Sequence, residues 1–477
     1  MGDSFGDSPR GRTAAEEGAI RDGAAEEIAG EHGKLGLPAA ISLIVGNIVG
    51  TGVFLLPASL AAYGTIGILA MALVSAGAVA LAVVFGRLGA RLPEGGGPYA
   101  YAKDAFGEFS GFWNAWSFWL TAWIGNAAIA VVWVNYVGYF LRWDSPAARI
   151  ALALVALWIP ALINLSGVRN IGAFALVTTV LKFIPLVFVA VAGLFFMRAA
   201  NFGPLVATGG SWIAALSTAG ALALFIYSGV ESVTIVAEKV RDPARNIGRA
   251  SVCGVLICAA MYLLSTVAVF GTVPHEALVG STAPFADAIN GMFGGSVGGG
   301  VMAACAIVSG IGAINGWTML VAEMPMAAAR DGLFPAVFAR RSRRGVPWAG
   351  VVTGTALTSL VVLYNYLGSE GGFDRILLIA TFTTVIPYFF SACAQLFWLV
   401  TRGRGVRGVR LGRDLTVTAV AILFAFWMTY GAGVQAVFVG FLMLLVGIPV
   451  YIWTKAGRGE YGPGGEVTAP AAGRPGR

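Results

Sequence analysis

Charge is scarce in this chain: 12% of its 477 residues are Asp, Glu, Lys or Arg, whereas 57% are hydrophobic. Soluble domains carry roughly 25% charged residues, so a soluble enzyme is excluded. Histidine is nearly absent, with His32 close to the N-terminus and His275 in a loop, and the four cysteines (Cys253, Cys258, Cys305, Cys393) have no CxxC spacing. A disulfide framework and a His/Cys metal site are therefore both without support. All four cysteines read as buried apolar residues. The glycine turn Pro93-Glu94-Gly95-Gly96-Gly97-Pro98 follows an apolar run and has no Walker lysine after it, which leaves a nucleotide-driven pump without a motif. No cofactor is expected.

What is abundant is apolar residues, in runs. A mean hydropathy of +0.79 over this length requires recurrent stretches of about 20 apolar residues, the mark of a polytopic membrane protein. Twelve spans are read, near 39–60, 65–88, 109–140, 150–166, 171–197, 212–236, 250–272, 298–327, 349–367, 376–400, 415–431 and 434–454. Gly 66 is a high count and fits helices that pack closely or break. The fold class expected is all-α, with twelve transmembrane helices.

The net charge of +7 is not a nucleic-acid footprint, because the basic residues occupy short loops rather than one face. Lys239, Arg241, Arg245 and Arg249, then Arg330, Arg340, Arg341, Arg343 and Arg344, then Arg402, Arg404, Arg407, Arg410 and Arg413 fall on one side of the twelve spans. Arg87, Arg91, Lys103, Arg169, Lys455 and Arg458 join them. The other side has little beyond Arg142, Arg149, Arg198 and Arg375. By the positive-inside rule the first side is cytoplasmic, which puts both termini inside and the protein in the plasma membrane. Residues 1–33 hold eight acidic and three basic residues and no apolar run, and read as a disordered cytoplasmic tail rather than a signal peptide. Residues 457–477, rich in Gly, Pro and Ala, read as a second disordered tail. The transporter domain expected is 34–456, with one repeat near 39–197, a second near 212–400, and two further helices near 415–454.

Two spans contain signs of interruption. Val45-Gly46-Asn47-Ile48-Val49-Gly50-Thr51-Gly52-Val53-Phe54 places three glycines in the first, and Phe225-Ile226-Tyr227-Ser228-Gly229-Val230-Glu231-Ser232 places Ser-Gly and a carboxylate in the sixth. Unpaired backbone groups cost several kcal/mol in hydrocarbon, so such breaks are tolerated where they are buried in protein or face a polar ligand. The competing reading of Gly46 and Gly50 is a GxxxG packing face. Spans one and six are five helices apart, the spacing of a five-plus-five inverted repeat whose discontinuous helices meet near the midplane. Half-helix N-termini suit a carboxylate and freed carbonyls suit an ammonium group. An amino acid needs both.

The chain from about Lys34 to Tyr451 resembles the amino acid–polyamine–organocation superfamily, most closely its bacterial basic amino acid/polyamine antiporters such as the arginine:agmatine exchanger. The stretches that carry the resemblance are Gly46-Asn47-Ile48-Val49-Gly50-Thr51-Gly52-Val53-Phe54-Leu55-Leu56-Pro57-Ala58, Gly96-Gly97-Pro98-Tyr99-Ala100-Tyr101-Ala102, Trp123-Ile124-Gly125-Asn126, Gly229-Val230-Glu231-Ser232, Gly316-Trp317-Thr318 and Asp331-Gly332-Leu333-Phe334-Pro335. The resemblance implies a LeuT-type fold, alternating access and no sodium requirement. It implies that the backbone from Asn47 and Ile48 through Gly50, Thr51 and Gly52 takes a substrate carboxylate, and that the backbone from Phe225 to Ser228 and Gly229 takes the amino group. Asn126 and Trp317 match residues that hydrogen-bond and stack on a guanidinium in the exchanger; a cation over a desolvated indole gains roughly 2 kcal/mol. The bland alternatives are a helix–helix contact for Asn126 and packing for Trp317.

Several positions depart from that exchanger. Phe225 stands where it has a gating tryptophan, Thr121 and Ala122 replace an alanine and a cysteine, and Ala380 replaces a serine, while Tyr388 is retained. Glu231 matches the exchanger's pH-responsive glutamate; its alternative role is to cap the N–H groups freed by the break. Lys182 replaces an apolar residue, and in related proton-coupled members a lysine here occupies the place of a sodium ion between helices one, five and eight. It reads either as a proton-exchanging group or as a fixed structural cation. The function expected is therefore a sodium-independent secondary transporter that exchanges an amino acid, with a basic one favoured, for a related amino acid or amine. The alternative is a proton-coupled permease of broader or neutral specificity. Candidate partners are the amino acid or amine substrate, protons, the lipid bilayer and a second copy of the chain; nucleic acid is not among them. A membrane hydrolase would need clustered nucleophiles or metal ligands in the spans, and a channel would need a ring of polar groups rather than paired broken helices.

Overall fold

The structure is a computed structural model and describes residues 34–93, 96–141, 145–167, 171–368, 372–402 and 408–459. The expected tails, 1–33 and the chain beyond 459, lie outside the described residues, as do Arg142, Arg169, Arg404 and Arg407. The described chain is helical, with a single isolated bridge between Leu35 and Val240. In order the helices are α1 Leu37–Ile48, α2 Leu56–Ala61, α3 Ile66–Arg91, α4 Pro98–Phe106, α5 Glu108–Leu141, α6 Pro146–Ser166, α7 Ile171–Ala192 and α8 Trp212–Leu224. They continue with α9 Ser232–Ile235, α10 Pro243–Thr272, α11 His275–Val279, α12 Pro284–Phe293, α13 Val297–Arg330, α14 Trp348–Leu367, α15 Gly372–Arg402 and α16 Gly408–Ala456.

Eight of these are long and apolar enough to cross a membrane, and shorter apolar helices run over Leu37–Ile48, Val180–Phe195 and Trp212–Tyr227. α16 is two helices joined at Gly433, whose φ of 81° is a left-handed conformation that glycine adopts without penalty. Proline opens α4, α6 and α10 at the first helical position, where its missing N–H is not needed. Ser145 and Ser211 cap α6 and α8 through their hydroxyls. Hydropathy places the start of the seventh span near 250, whereas α10 begins at Pro243. Its first two turns carry Arg245 and Arg249 and project beyond the apolar band.

α5 lies at the centre, its apolar stretch wholly buried in protein, whereas only 22% of that of α16 is. Two internal prolines fasten its neighbours to it. Pro325 in α13 cannot donate to the Val321 carbonyl, and Trp119 of α5 donates its indole N–H there at 3.1 Å. Pro387 in α15 likewise frees the Thr383 carbonyl, which accepts from the Ser117 hydroxyl of α5 at 2.7 Å. Other extensive pairings are α3 with α10, α6 with α14, α1 with α10, α8 with α3 and α13 with α7. Of the cysteines, only Cys258 is fully buried in protein, and Cys253 is exposed on α10. In a membrane protein an apolar setting can be lipid as readily as core.

The basic segments come together on one face. Leu35 exchanges backbone hydrogen bonds with Lys239 and Arg241, Arg87 pairs with Asp414 at 2.7 Å, Lys455 pairs with Glu108, and Arg458 reaches the Ala329 carbonyl. The opposite face gathers Tyr63 with Ala207, Arg198 with Gly271, and Ser59 with Asp374.

Candidate functional site

α1 stops at Ile48. Val49 adopts φ −73° and ψ 81°, a γ-turn that lets Gly50 N–H donate to the Ile48 carbonyl at 2.7 Å, and the chain re-enters a short 3-10 turn over Thr51–Phe54 before α2. The second break follows α8, with a 3-10 turn over Phe225–Tyr227, an extended Ser228 and then Gly229 at φ 112°. Gly229 is required twice. Its φ lies in the region L side chains avoid, and a Cβ there would stand 3.1–3.3 Å from the carbonyl and Cβ of Asn47. The two breaks therefore touch backbone to backbone.

Hydroxyl groups supply the hydrogen bonds that the breaks forgo. Tyr262 of α10 donates to the Ile48 carbonyl at 2.9 Å and lies 3.4 Å from the Ile226 carbonyl, tying both breaks to one helix. Tyr136 of α5 donates to the Phe54 carbonyl at 3.0 Å, and Thr381 of α15 donates to the Ala221 carbonyl at 2.7 Å in the last turn of α8. Glu231, buried, accepts from Gly229 N–H at 3.3 Å and from the Tyr388 hydroxyl at 2.8 Å. The buried carboxylate thus caps the second break and binds it to α15. Lys182, equally buried on α7, donates to the Gly46 carbonyl at 3.4 Å. It sits against the last turn of α1, one residue before Asn47.

Asn47, Ile48, Gly50, Gly52, Phe225, Ser228 and Trp317 line one small cavity together with Val53, Ile129 and Ile226. The Phe225 ring is clamped in it: a Cβ on Gly52 would stand 3.3 Å from one ring edge and one on Gly125 3.0 Å from the other. About 10 Å³ is accessible there, room for a single water and far less than an amino acid needs. A second cavity of about 380 Å³ adjoins it on the basic face, bounded by Leu43, Gly46, Lys182 and Leu320. Asn47, Gly50 and Trp317 line both and form the partition. On the opposite side the first break is roofed by Phe54, edge-on to Tyr136 and Phe285, and Ser59 donates to Asp374 at 2.7 Å.

Other residues read from the sequence as binding residues have different neighbours. Asn126 donates to the Thr318 hydroxyl at 3.3 Å while its buried Oδ1 has no partner among the described residues. Thr121 lies in a hydroxyl cluster with Thr383 at 2.8 Å and Thr384 at 3.4 Å, between α5 and α15. Ala380 is fully buried beside that cluster, its carbonyl accepting from Thr383 and Thr384, and Ala122 is fully buried on α5. Thr51 is fully buried, its hydroxyl without a partner among the described residues and its methyl 3.5 Å from where a Cβ on Gly310 would be. None of these five lines the small cavity. Tyr262 and Ile129 do not stand out in the sequence, because a tyrosine or isoleucine in an apolar helix carries no signal of which backbone it meets, whereas Ile226 falls within the second interruption. The breaks themselves were the available clue, since freed carbonyls must find donors.

The sequence has known relatives along most of its length. Residues 35–453 match the family model described as amino acid permease. The chain is 30% identical over 441 residues to an arginine/ornithine antiporter of Pseudomonas aeruginosa, covering 88% of this chain and 91% of that one. It is 31% identical over 415 residues to a cadaverine/lysine antiporter of Escherichia coli K12 (84% and 90%), and 29% identical over 427 residues to the putrescine transporter PotE of Haemophilus influenzae (88% and 96%). A chain of apolar helices, two of them broken and abutting, that matches this model along nearly its whole described length is an integral membrane transporter and belongs to the amino acid permease family.

Proposed function

We propose that this protein is a sodium-independent exchanger of amino acids and their amines, working by alternating access around the paired breaks. The observation that carries the reading is the contact of Gly229 with Asn47, which brings two interrupted helices to one cavity. The relatives named above transport arginine, ornithine, lysine, cadaverine and putrescine, so a basic amino acid and its amine are the substrates to test first. In this reading the backbone from Asn47 to Gly52 binds the carboxylate, the backbone from Phe225 to Gly229 binds the amino group, and Trp317 and Asn126 meet the cationic tail.

Twelve passes and a five-plus-five repeat account for the packing. Let the segments run α1–α2, α3, α5, α6, α7, then α8–α9, α10, α13, α14, α15. Exchanging each with its counterpart five later leaves the pairs α3–α10, α5–α13 and α6–α14 unchanged; it turns α1–α10 into α8–α3, and α5–α15 into α13–α7. With α16 as the last two passes, both termini fall on the basic, cytoplasmic face. The 380 Å³ cavity then opens inward, with Trp317 between it and the closed substrate site. Lys182 on the Gly46 carbonyl supplies a fixed positive charge beside the first break and supports sodium independence. The same contact favours the second reading, proton-coupled uptake, if Lys182 releases its proton during the cycle.

Purified protein in liposomes separates the two. Labelled arginine, ornithine, lysine or putrescine entering only when internal substrate is present, and equally in sodium or choline, is the expected result. Uptake into empty vesicles driven by an imposed pH gradient would select proton coupling, and a requirement for sodium would overturn both.

A further inference from the structure

The segment between α13 and α14, residues 331–347, carries Arg340, Arg341, Arg343 and Arg344 against one acid, Asp331, which accepts from the Tyr99 hydroxyl at 3.2 Å. All four arginines are exposed. Arg341 donates to the Met326 sulfur at 3.4 Å, and the side chains of Arg340, Arg343 and Arg344 have neither a hydrogen bond nor an ion pair among the described residues. Arg344 lies against Gly167, and residues 168–170 bring a further cation, Arg169, and no acid. Four like charges within five residues repel one another, and a partner of opposite sign relieves them.

The chain itself holds such a partner. Residues 1–33 carry eight acidic against three basic residues, whereas residues 460–477 carry two of each. The acidic segment joins the fold at a fixed place, because Leu35 exchanges backbone hydrogen bonds with Lys239 and Arg241 and lines the 380 Å³ cavity with Ala39 and Ser42 of α1. Across that cavity stands α13, from Gly312 to Leu320. Met326, which holds Arg341, lies six residues further along the same helix, about 9 Å. The acidic segment thus starts on one side of the cavity mouth and the arginines stand on the other. Glu26 and Glu27, eight and seven residues before Lys34, reach up to about 25 Å from it when extended, enough to cross.

We propose that residues 1–33 dock on Arg340, Arg341, Arg343 and Arg344 and lie across the mouth of the 380 Å³ cavity, as a charge-held cover that lifts when the cavity exchanges its contents with solvent. Exposed carboxylate–guanidinium pairs are weak singly, so the cover releases readily and salt weakens it. An anionic lipid surface competes for the same arginines, but the tether keeps the acidic segment at high effective concentration beside them. The inference does not depend on which substrate is carried or on how transport is coupled.

The test reads distance and thiol reactivity rather than transport, on full-length protein whose four native cysteines are replaced by alanine. Spin labels on Ala19→Cys and Ala336→Cys should give a short, narrow distance distribution in detergent and in phosphatidylglycerol nanodiscs alike, and a longer one in about 1 M salt, where the screening length falls to about 3 Å. The uncharged reagent N-ethylmaleimide, acting on Ser42→Cys, reports access to the cavity. Changing the eight carboxylates of residues 1–33 to amides, or the four arginines to Gln, should raise the alkylation rate about fourfold, the equivalent of four exposed ion pairs at the weak end of their range. The first variant leaves every described residue unchanged and carries the test if the second fails gel filtration. A long distance indifferent to salt, or one that is short in detergent and long in the nanodiscs because lipid takes the arginines, overturns the docking. An alkylation rate unchanged by neutralising the acidic segment overturns the cover.

Discussion

Removing the hydroxyl of Tyr262 is the sharpest test of how the breaks are held together. Tyr262→Phe keeps the ring and its edge-on packing against Tyr227, with centroids 5.6 Å apart, and deletes only the donor at 2.9 Å from the Ile48 carbonyl. That carbonyl is not left orphaned, because Gly50 N–H also donates to it at 2.7 Å. The loss is thus that of one ordinary hydrogen bond, about 1 kcal/mol, rather than the larger penalty for a buried group without a partner. The second contact, 3.4 Å to the Ile226 carbonyl, adds little because one hydroxyl proton serves one acceptor at a time. The closed arrangement should therefore lose about fivefold in population against any arrangement in which water reaches Ile48. Exchange in liposomes at saturating internal and external substrate should fall by about that factor if every cycle passes through the closed state. Tyr227→Phe is the control, since that hydroxyl bonds Ser75 at 2.6 Å and neither break. A Tyr262→Phe protein with the wild-type rate and thermal midpoint would refute the role assigned to the bond. A loss approaching a hundredfold would refute the magnitude, and with it the idea that Gly50 shares the carbonyl.

Gly52→Val should abolish substrate binding in a scintillation proximity assay while leaving expression largely intact, because even a Cβ stands 3.3 Å from Phe225; normal transport would remove the break from the site. Trp317→Ala should weaken arginine, ornithine or putrescine binding by about tenfold or more if the indole stacks on a cation, and leucine or alanine outcompeting every cationic substrate on the wild type would defeat the basic-substrate reading. Lys182→Ala should impair exchange more than binding, since its contact is to the Gly46 carbonyl rather than the small cavity; a wild-type rate and pH profile would make the lysine a passive structural residue. Glu231→Gln retains an acceptor for Gly229 N–H and Tyr388 but cannot gain or lose a proton, so it should flatten the pH dependence of transport. A pH profile identical to the wild type would leave Glu231 as a cap alone.

What was legible in the sequence was the backbone. Three glycines within Gly46–Gly52, and Ser228-Gly229 five helices later, announce interruptions because a membrane-length apolar run has no other use for them. Hydropathy also located the eight long apolar helices, although it trimmed α10, missed the short α4, α11 and α12, and could not see that α1 ends as early as Ile48. Side-chain geometry was less accessible. Thr121 and Asn126 lie on the central helix, but a helical repeat gives the face of a residue and not its depth relative to a neighbour. Thr121 meets Thr383, and Asn126 meets Thr318, rather than the cavity. The donors that close the breaks come from α5, α10 and α15, each at a sequence distance over which local pattern says nothing.

The two prolines of α13 and α15 have a further consequence. Each weakens its own helix and, by exposing one carbonyl, creates an attachment point that an unbroken helix would lack; both attachments are taken by α5. Replacing either proline with alanine would not mend the helix at no cost. The restored N–H would compete with Trp119 or Ser117 for the same acceptor and leave a donor of α5 buried without one. These three helices are in effect riveted through sites that arise only because the ladder is incomplete, while the half-helices that meet at Gly229 and Asn47 are joined by contacts that water or a substrate could replace. Relative motion should follow that division, with the broken pair moving against a frame whose joints lie in its apparent defects.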